Sequence, residues 1–138
     1  MPVSFADLQL AFEFVSAGDM GENEAWLDRQ SGEIYYRSAY GDNEEELPDD
    51  IADERYIAIP DKRELDLGKP MVLDFASQFL PDDYEEIDRI FRRRGAYRRY
   101  KDLLVQRGAL ECWYNFSNKA EEAALRAWCA AHGIELSD

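Results

Sequence analysis

The chain has 138 residues, is 46% hydrophobic and 13% aromatic, and carries a formal net charge of −14. That length holds one domain, or two small lobes sharing a core, and that apolar content folds without disulfide staples. The negative charge repels nucleic-acid phosphates and anionic membranes at long range, so generic attraction to either is excluded and any basic surface must act locally.

The first element is predicted to be an amphipathic helix. Ser4 caps it, Asp7 stands three residues on, and Phe5, Leu8, Ala11, Phe12 and Val15 follow the 3.6-residue period up to Gly18. The stretches EAWLDR and EIYYRS are aromatic and β-prone, and they flank Gln30-Ser31-Gly32, so they predict a β-hairpin. Residues 41–54 hold eight carboxylates around one proline, which predicts a mobile acidic loop. RYIAIP then supplies a third strand beside the hairpin, closed by Pro60.

From residue 65 onward the period is helical. One helix is expected within residues 65–80, with Met71, Val72, Phe75 and Phe79 inward. Pro81 opens a second, running to Arg94 with Tyr84, Ile87, Ile90 and Phe91 as its stripe and Gly95 as its left-handed stop. A third covers 96–107 and ends at Gly108, and a fourth covers 109–116. A fifth starts from an Asn118 cap with Glu121 three residues on and ends at His132-Gly133-Ile134. The fold class is therefore α+β: an N-terminal helix on a three-stranded antiparallel sheet, followed by a C-terminal bundle of four to five helices. One domain is expected, with a helix-plus-sheet lobe over 1–60 and a helical lobe over 61–138.

The charge is unevenly distributed. Residues 89–107 carry eight of the sixteen Lys and Arg residues and one acid, Asp102, so this block is net +7 while the remainder of the chain is −21. Cations interleaved with tyrosines invite a nucleic-acid or phosphate reading. On a helical wheel, however, Ala96, Tyr97, Tyr100, Leu103 and Leu104 share one face, so the tyrosines point to the core and not to stacked bases. Arg98 and Arg99 stand four and three residues before Asp102, and Glu85–Arg89 and Asp88–Arg92 are also four apart, so intramolecular pairing accounts for part of the block. Arg92, Arg93, Arg94, Arg98, Arg99 and Lys101 are the candidate binding residues. An acidic protein partner is the expected occupant, with nucleic acid as the alternative, either through this patch or by acidic mimicry of phosphate.

The same block carries a resemblance. Gly95-Ala96-Tyr97-Arg98-Arg99-Tyr100-Lys101-Asp102, then Glu111-Cys112-Trp113-Tyr114-Asn115-Phe116, then Ala127-Trp128-Cys129 before His132-Gly133-Ile134, resemble a numbered "uncharacterised protein family" of small acidic bacterial proteins with a Gly-Ala-Phe-Arg-Arg-Phe-Lys-Asp type block. The Phe5-Ala6-Asp7-Leu8, Leu27-to-Glu33 and Arg55-to-Pro60 segments extend the resemblance over nearly the whole chain. Tyr97 and Tyr100 stand where that family has Phe, which implies that neither hydroxyl has a surface role. The resemblance implies the architecture and no activity.

Enzyme and cofactor signatures are absent from the sequence. Cys112 and Cys129 lack Cys-x-x-Cys spacing and are expected to be small buried thiols. His132 is the single histidine and sits at a helix end, where its charge suits the dipole. There is no calcium loop, phosphate-binding loop or nucleophile turn, and no metal or cofactor is expected. An enzyme would need an unrecognised carboxylate site; the adjacent pairs Asp82–Asp83 and Asp49–Asp50 are ordinary at a helix start and in a loop. Trp113, Tyr114, Phe116 and Trp128 are expected in the core. No apolar run reaches membrane-spanning length, and MPVSFADLQL lacks the features of a signal peptide, so a cytoplasmic, non-enzymatic interaction or regulatory protein is the expectation.

Overall fold

A computed structural model describes residues 2–18, 21–38 and 47–137. The fold is α+β, and the chain divides into two compact units: Met1–Leu65 with Leu125–Asp138, and Asp66–Ala124.

In the first unit, β1 (Val3–Ser4) leads directly into α1 (Phe5–Ser16). Ser4 caps the helix as its sequence position predicts, with Oγ accepting from the Asp7 N–H at 3.4 Å. Leu8, Ala11, Phe12 and Val15 are buried on one face. The strands β2 (Asn23–Asp28), β3 (Ile34–Ser38) and β4 (Tyr56–Ala58) form an antiparallel sheet in the order β3-β2-β4. Register is set by Ala25 opposite Tyr36 and Leu27 opposite both Ile34 and Ile57. Ala25 and Leu27 alternate inward and are fully buried, so β2 is the strand that the helix covers. The Phe14 ring meets Tyr36 edge-on at 5.1 Å, and the Asn23 amide donates to the carbonyls of Phe14 and Ala17, satisfying the end of α1.

The hairpin turn follows its expected chemistry, with Gly32 at φ 81° and its N–H donating to the Asp28 carbonyl. Of the predicted acidic loop over 41–54, residues 41–46 lie outside the described residues. Residues 47–54 form successive hydrogen-bonded turns, Ile51 to Pro48, Asp53 to Asp50, leading through Tyr56 to Asp53 into β4. One pairing was not foreseen: β5 (Leu136–Ser137) lies parallel to β1, with Val3 opposite Leu136 and Ser4 opposite Ser137.

In the second unit, α2 (Lys69–Phe79) begins with Pro70 in its first turn and buries Val72, Phe75 and Ala76. Phe79, expected inward, is 49% exposed although its ring touches Phe75 and Phe116. The helix expected over 81–94 is shorter and begins differently. Pro81–Asp83 is a 3-10 turn, α3 covers Tyr84–Ile90, and the last three arginines of the expected helix lie outside it. The reason is local: the N–H groups of Arg92 and Arg93 reach back only three residues, to Arg89 and Ile90, which tightens and ends the helix. Tyr84 of the predicted stripe is 37% exposed, and Ile87 is fully buried.

The helix α4 (Ala96–Gln106) follows Gly95, whose φ of 71° is the left-handed stop the sequence predicts. The separate helices expected over 109–116 and from 118 are one continuous helix, α5 (Leu110–Ala131). Ser117 and Asn118 do not break it because the Ser117 hydroxyl donates back to the Tyr114 carbonyl at 3.2 Å, within the helix, and no Gly or Pro interrupts the run. Residues 110–124 of α5 belong to the second unit and 125–131 to the first. It closes with the predicted terminal pattern: Ile134 N–H donates to Cys129 O at 2.8 Å, and Gly133 has φ 68°.

The core of the second unit is aromatic. Trp113 stands edge-on to Phe75 at 5.3 Å and to Tyr100 at 5.1 Å, and Phe91 meets Tyr97 and Tyr100 at 5.0 and 5.3 Å. Val72, Ile87, Leu103 and Leu104 complete it.

Candidate functional site

The six candidate cations all belong to the second unit, and all are exposed. Arg92, Arg93 and Arg94 occupy the turn after α3, and Arg98, Arg99 and Lys101 lie on the outer side of α4. The helical period produces this division. Tyr100, Leu103 and Leu104 take the inward positions and are buried, Tyr97 is half-buried against them, and the arginines are left outside. Nucleobases therefore find no exposed tyrosine face among these residues.

Ion pairing differs from the spacing-based expectation. Arg92 does pair with Asp88, at 3.1 Å, but Asp88 is shared with Lys69 at 2.9 Å. Lys69 first, and Arg92 after it, hold the Asp88 carboxyl below the usual carboxylate range. Arg89 reaches Glu86 at 3.7 Å rather than Glu85. Asp102 pairs with neither Arg98 nor Arg99; Arg99 instead donates through Nη2 to the Arg94 carbonyl at 2.9 Å, because Gly95 turns that carbonyl toward the first turn of α4. Lys101 lies 5.9 Å from the Tyr114 ring centroid. Among the described residues, Arg93, Arg94 and Arg98 form no ion pair.

Arg107, at the far end of the basic block, is a structural residue. It holds Asp83 through two hydrogen bonds of 3.0 Å, joining the end of α4 to the 3-10 turn, and it keeps the Asp83 carboxyl low. This pair spans 24 residues and lies beyond what helical spacing can reveal.

Two shallow hollows flank Arg89. One, of about 300 Å³, is lined by Tyr84, Glu85, Asp88, Arg89 and Arg92. The other, of about 250 Å³, is lined by Glu86, Arg89, Ile90, Arg93 and Arg99. Arg89 is the residue that sequence reasoning passed over. The available signal was its position four residues before Arg93, which puts both on one side of the chain as α3 ends.

The remaining candidates are placed as follows. Cys129 is buried, and burial raises its thiol pKa; Cys112, expected buried, is exposed on α5. His132 is exposed against the Trp128 ring at 5.0 Å. Trp113 is buried as expected, whereas Tyr114 is 42% exposed. Among the described residues no three His, Cys, Asp or Glu side chains gather closely enough to hold a metal ion. Among the described residues the carboxylates with shifted titration are all held low: burial pushes Asp61 up but the bonds and charge of Arg63 outweigh it, and Asp28, Asp83 and Asp88 are held low chiefly by Arg55, Arg107 and Lys69. Among the described residues no helix is long and apolar enough to cross a membrane.

Fold and surface together define an α+β protein with a cationic ridge over an aromatic core. No family model, curated protein or solved structure matches the chain.

Proposed function

We propose that this is a non-enzymatic, cytoplasmic interaction or regulatory protein whose partner contact is the ridge formed by Arg92, Arg93, Arg94, Arg98, Arg99 and Lys101. The observation that carries the reading is the exposure of Arg93, Arg94 and Arg98 without an acidic partner among the described residues, in a chain whose net charge is −14. Such a protein has carboxylates in excess, so cations kept clear of them are available to a partner. Arginine forks suit carboxylates, which makes an acidic protein surface the matching occupant.

Nucleic acid is the weaker match. The long-range field of the chain is repulsive, and the two tyrosines interleaved with the arginines, Tyr100 and Tyr97, are buried and half-buried, so neither offers an open face for a base. On the same reading the chain belongs with the bacterial family its central block resembles. Support comes from Tyr100, whose hydroxyl has no hydrogen-bond partner among the described residues and whose packed position Phe fills equally well.

The test is a pull-down from the cells in which the protein is native, comparing wild type with the triple variant Arg93→Glu, Arg94→Glu, Arg98→Glu. Acidic partners lost with the variant, and eluted by moderate salt, support the reading; an unchanged partner set sinks it. A gel-shift assay at two salt concentrations separates the alternative, because direct nucleic-acid binding weakens steeply with salt.

A further inference from the structure

The hollow lined by Arg89, Arg93 and Arg99 is more selective than a flat basic ridge. Its floor is the half-buried Ile90, and its single acid is Glu86. Glu86 meets Arg89 at only 3.7 Å, with the two side chains 57% and 72% exposed, so this is a loose pair that a better anion displaces. Arg99 is steadied by its bond to the Arg94 carbonyl, which fixes one guanidinium before any ligand arrives. Arg93 forms no ion pair among the described residues.

Charge and donor geometry select the ligand. Three cations against one anion leave a surplus of two positive charges around a space of about 250 Å³. A carboxylate brings one negative charge and two oxygens. A phosphomonoester brings about −1.5 to −2 and three strong acceptor oxygens at neutral pH, a closer match to three forked donors.

The geometry points to this hollow as a receptor for a phosphorylated side chain on the acidic protein partner, with Arg89, Arg93 and Arg99 gripping the phosphate and Arg94, Arg98 and Lys101 meeting the acidic residues around it. This rests on the interaction-protein reading above and names the modification that the partner carries.

The experiment uses the full chain and two fluorescein-labelled peptides, Glu-Glu-Ser-Glu-Glu and its phosphoserine form, followed by fluorescence anisotropy at low salt. The phosphopeptide is expected to bind about tenfold more tightly or better. That advantage disappears in the Arg89→Gln, Arg93→Gln double variant and survives in the Arg94→Gln, Arg98→Gln double variant, which weakens both peptides alike. Both pairs are exposed, and circular dichroism checks that each variant folds. Equal binding of the two peptides overturns the hollow and leaves the acidic-partner reading standing. Competition by inorganic phosphate as effective as by the phosphopeptide overturns the peptide as source and assigns the hollow to small phosphorylated compounds. Binding of neither peptide overturns the inference alone, because the pull-down decides the broader reading independently.

Discussion

Arg55 grips Asp28 with both arms of its guanidinium, Nε to Oδ1 at 2.8 Å and Nη2 to Oδ2 at 2.6 Å, and so pins the end of β2 to the start of β4. The Asp28 side chain is 2% exposed and also accepts from the N–H groups of Gln30 and Ser31 in the hairpin turn. Arg55 chiefly, and those turn bonds after it, hold its carboxyl far below the usual range against the opposing pull of burial. Asp28→Asn is expected to cost about 2 kcal/mol at neutral pH, because a buried charged acceptor of several bonds becomes a poorer one. A carboxyl whose native pKa is depressed contributes stability that is complete above its ordinary value and fades as pH falls toward the native one. The gap between wild type and variant should therefore narrow below about pH 4. Urea unfolding of both proteins at about pH 7 and about pH 2.5 checks this, and a constant gap contradicts it.

Tyr100 offers the opposite case. Its ring is fully buried between Phe91 and Trp113, and its hydroxyl has no hydrogen-bond partner among the described residues. Burial raises its pKa, which keeps the group neutral. Removing an unpartnered buried hydroxyl relieves a desolvation penalty of about 1–3 kcal/mol, offset in part by the small void left behind. Tyr100→Phe is thus expected to raise the urea midpoint, and a lower midpoint counts against the orphan status of this hydroxyl.

Gly95 is required for its backbone and not for space. At φ 71° it turns the arginine-rich segment into α4, and a Cβ built there meets nothing within 4 Å. Gly95→Ala should therefore cost about 1–2 kcal/mol from the left-handed conformation alone. If calorimetry finds no loss, the turn tolerates another path.

The continuity of α5 has its own test at Lys119. Were a helix to start from an Asn118 cap, proline at position 119 would occupy a favoured first position. Within an unbroken helix, Lys119→Pro removes a backbone bond and clashes with the preceding turn, at about 3 kcal/mol or more. Thermal unfolding with far-ultraviolet dichroism reads the difference directly.

The ridge arginines and Arg107 should separate in a stability scan. Arg93→Glu, Arg94→Glu and Arg98→Glu break no ion pair among the described residues and are expected to leave the thermal midpoint unchanged. Asp83→Asn weakens a two-bond link between α4 and the turn before α3 and should lower it. A large loss from the three ridge variants would make them structural residues and remove the basis for a contact surface.

Much of the fold was legible because its signals are local. Ser4 with Asp7, the hairpin around Gly32, Gly95 in the left-handed region and the terminal Gly133-Ile134 pattern each depend on residues within one turn of one another. The wheel through Tyr97 and Tyr100 likewise separated the inward rings, half-buried and buried, from the exposed cations. What sequence could not supply is long-range. Asp28 with Arg55 and Asp83 with Arg107 are brought together by tertiary folding, and spacing rules reach no further than four residues along a helix. Two-residue strands carry no readable period, so β1 and β5 were invisible. Cap residues misled at Asn118, since a cap signal acts only where the preceding helix actually stops.

The parallel pairing of Val3 with Leu136 has a consequence for synthesis. A ribosome releases residues in order, and the first unit needs residues from both its early and its late segments. Its helix and hairpin can gather early, but the strand that completes them, and Leu125 and Cys129 of its core, arrive only after the entire second unit has been made. The second unit, continuous in sequence, has no such wait. Vectorial folding therefore runs against the numbering here: the inserted helices can settle while the segment that precedes them still lacks its closing pieces.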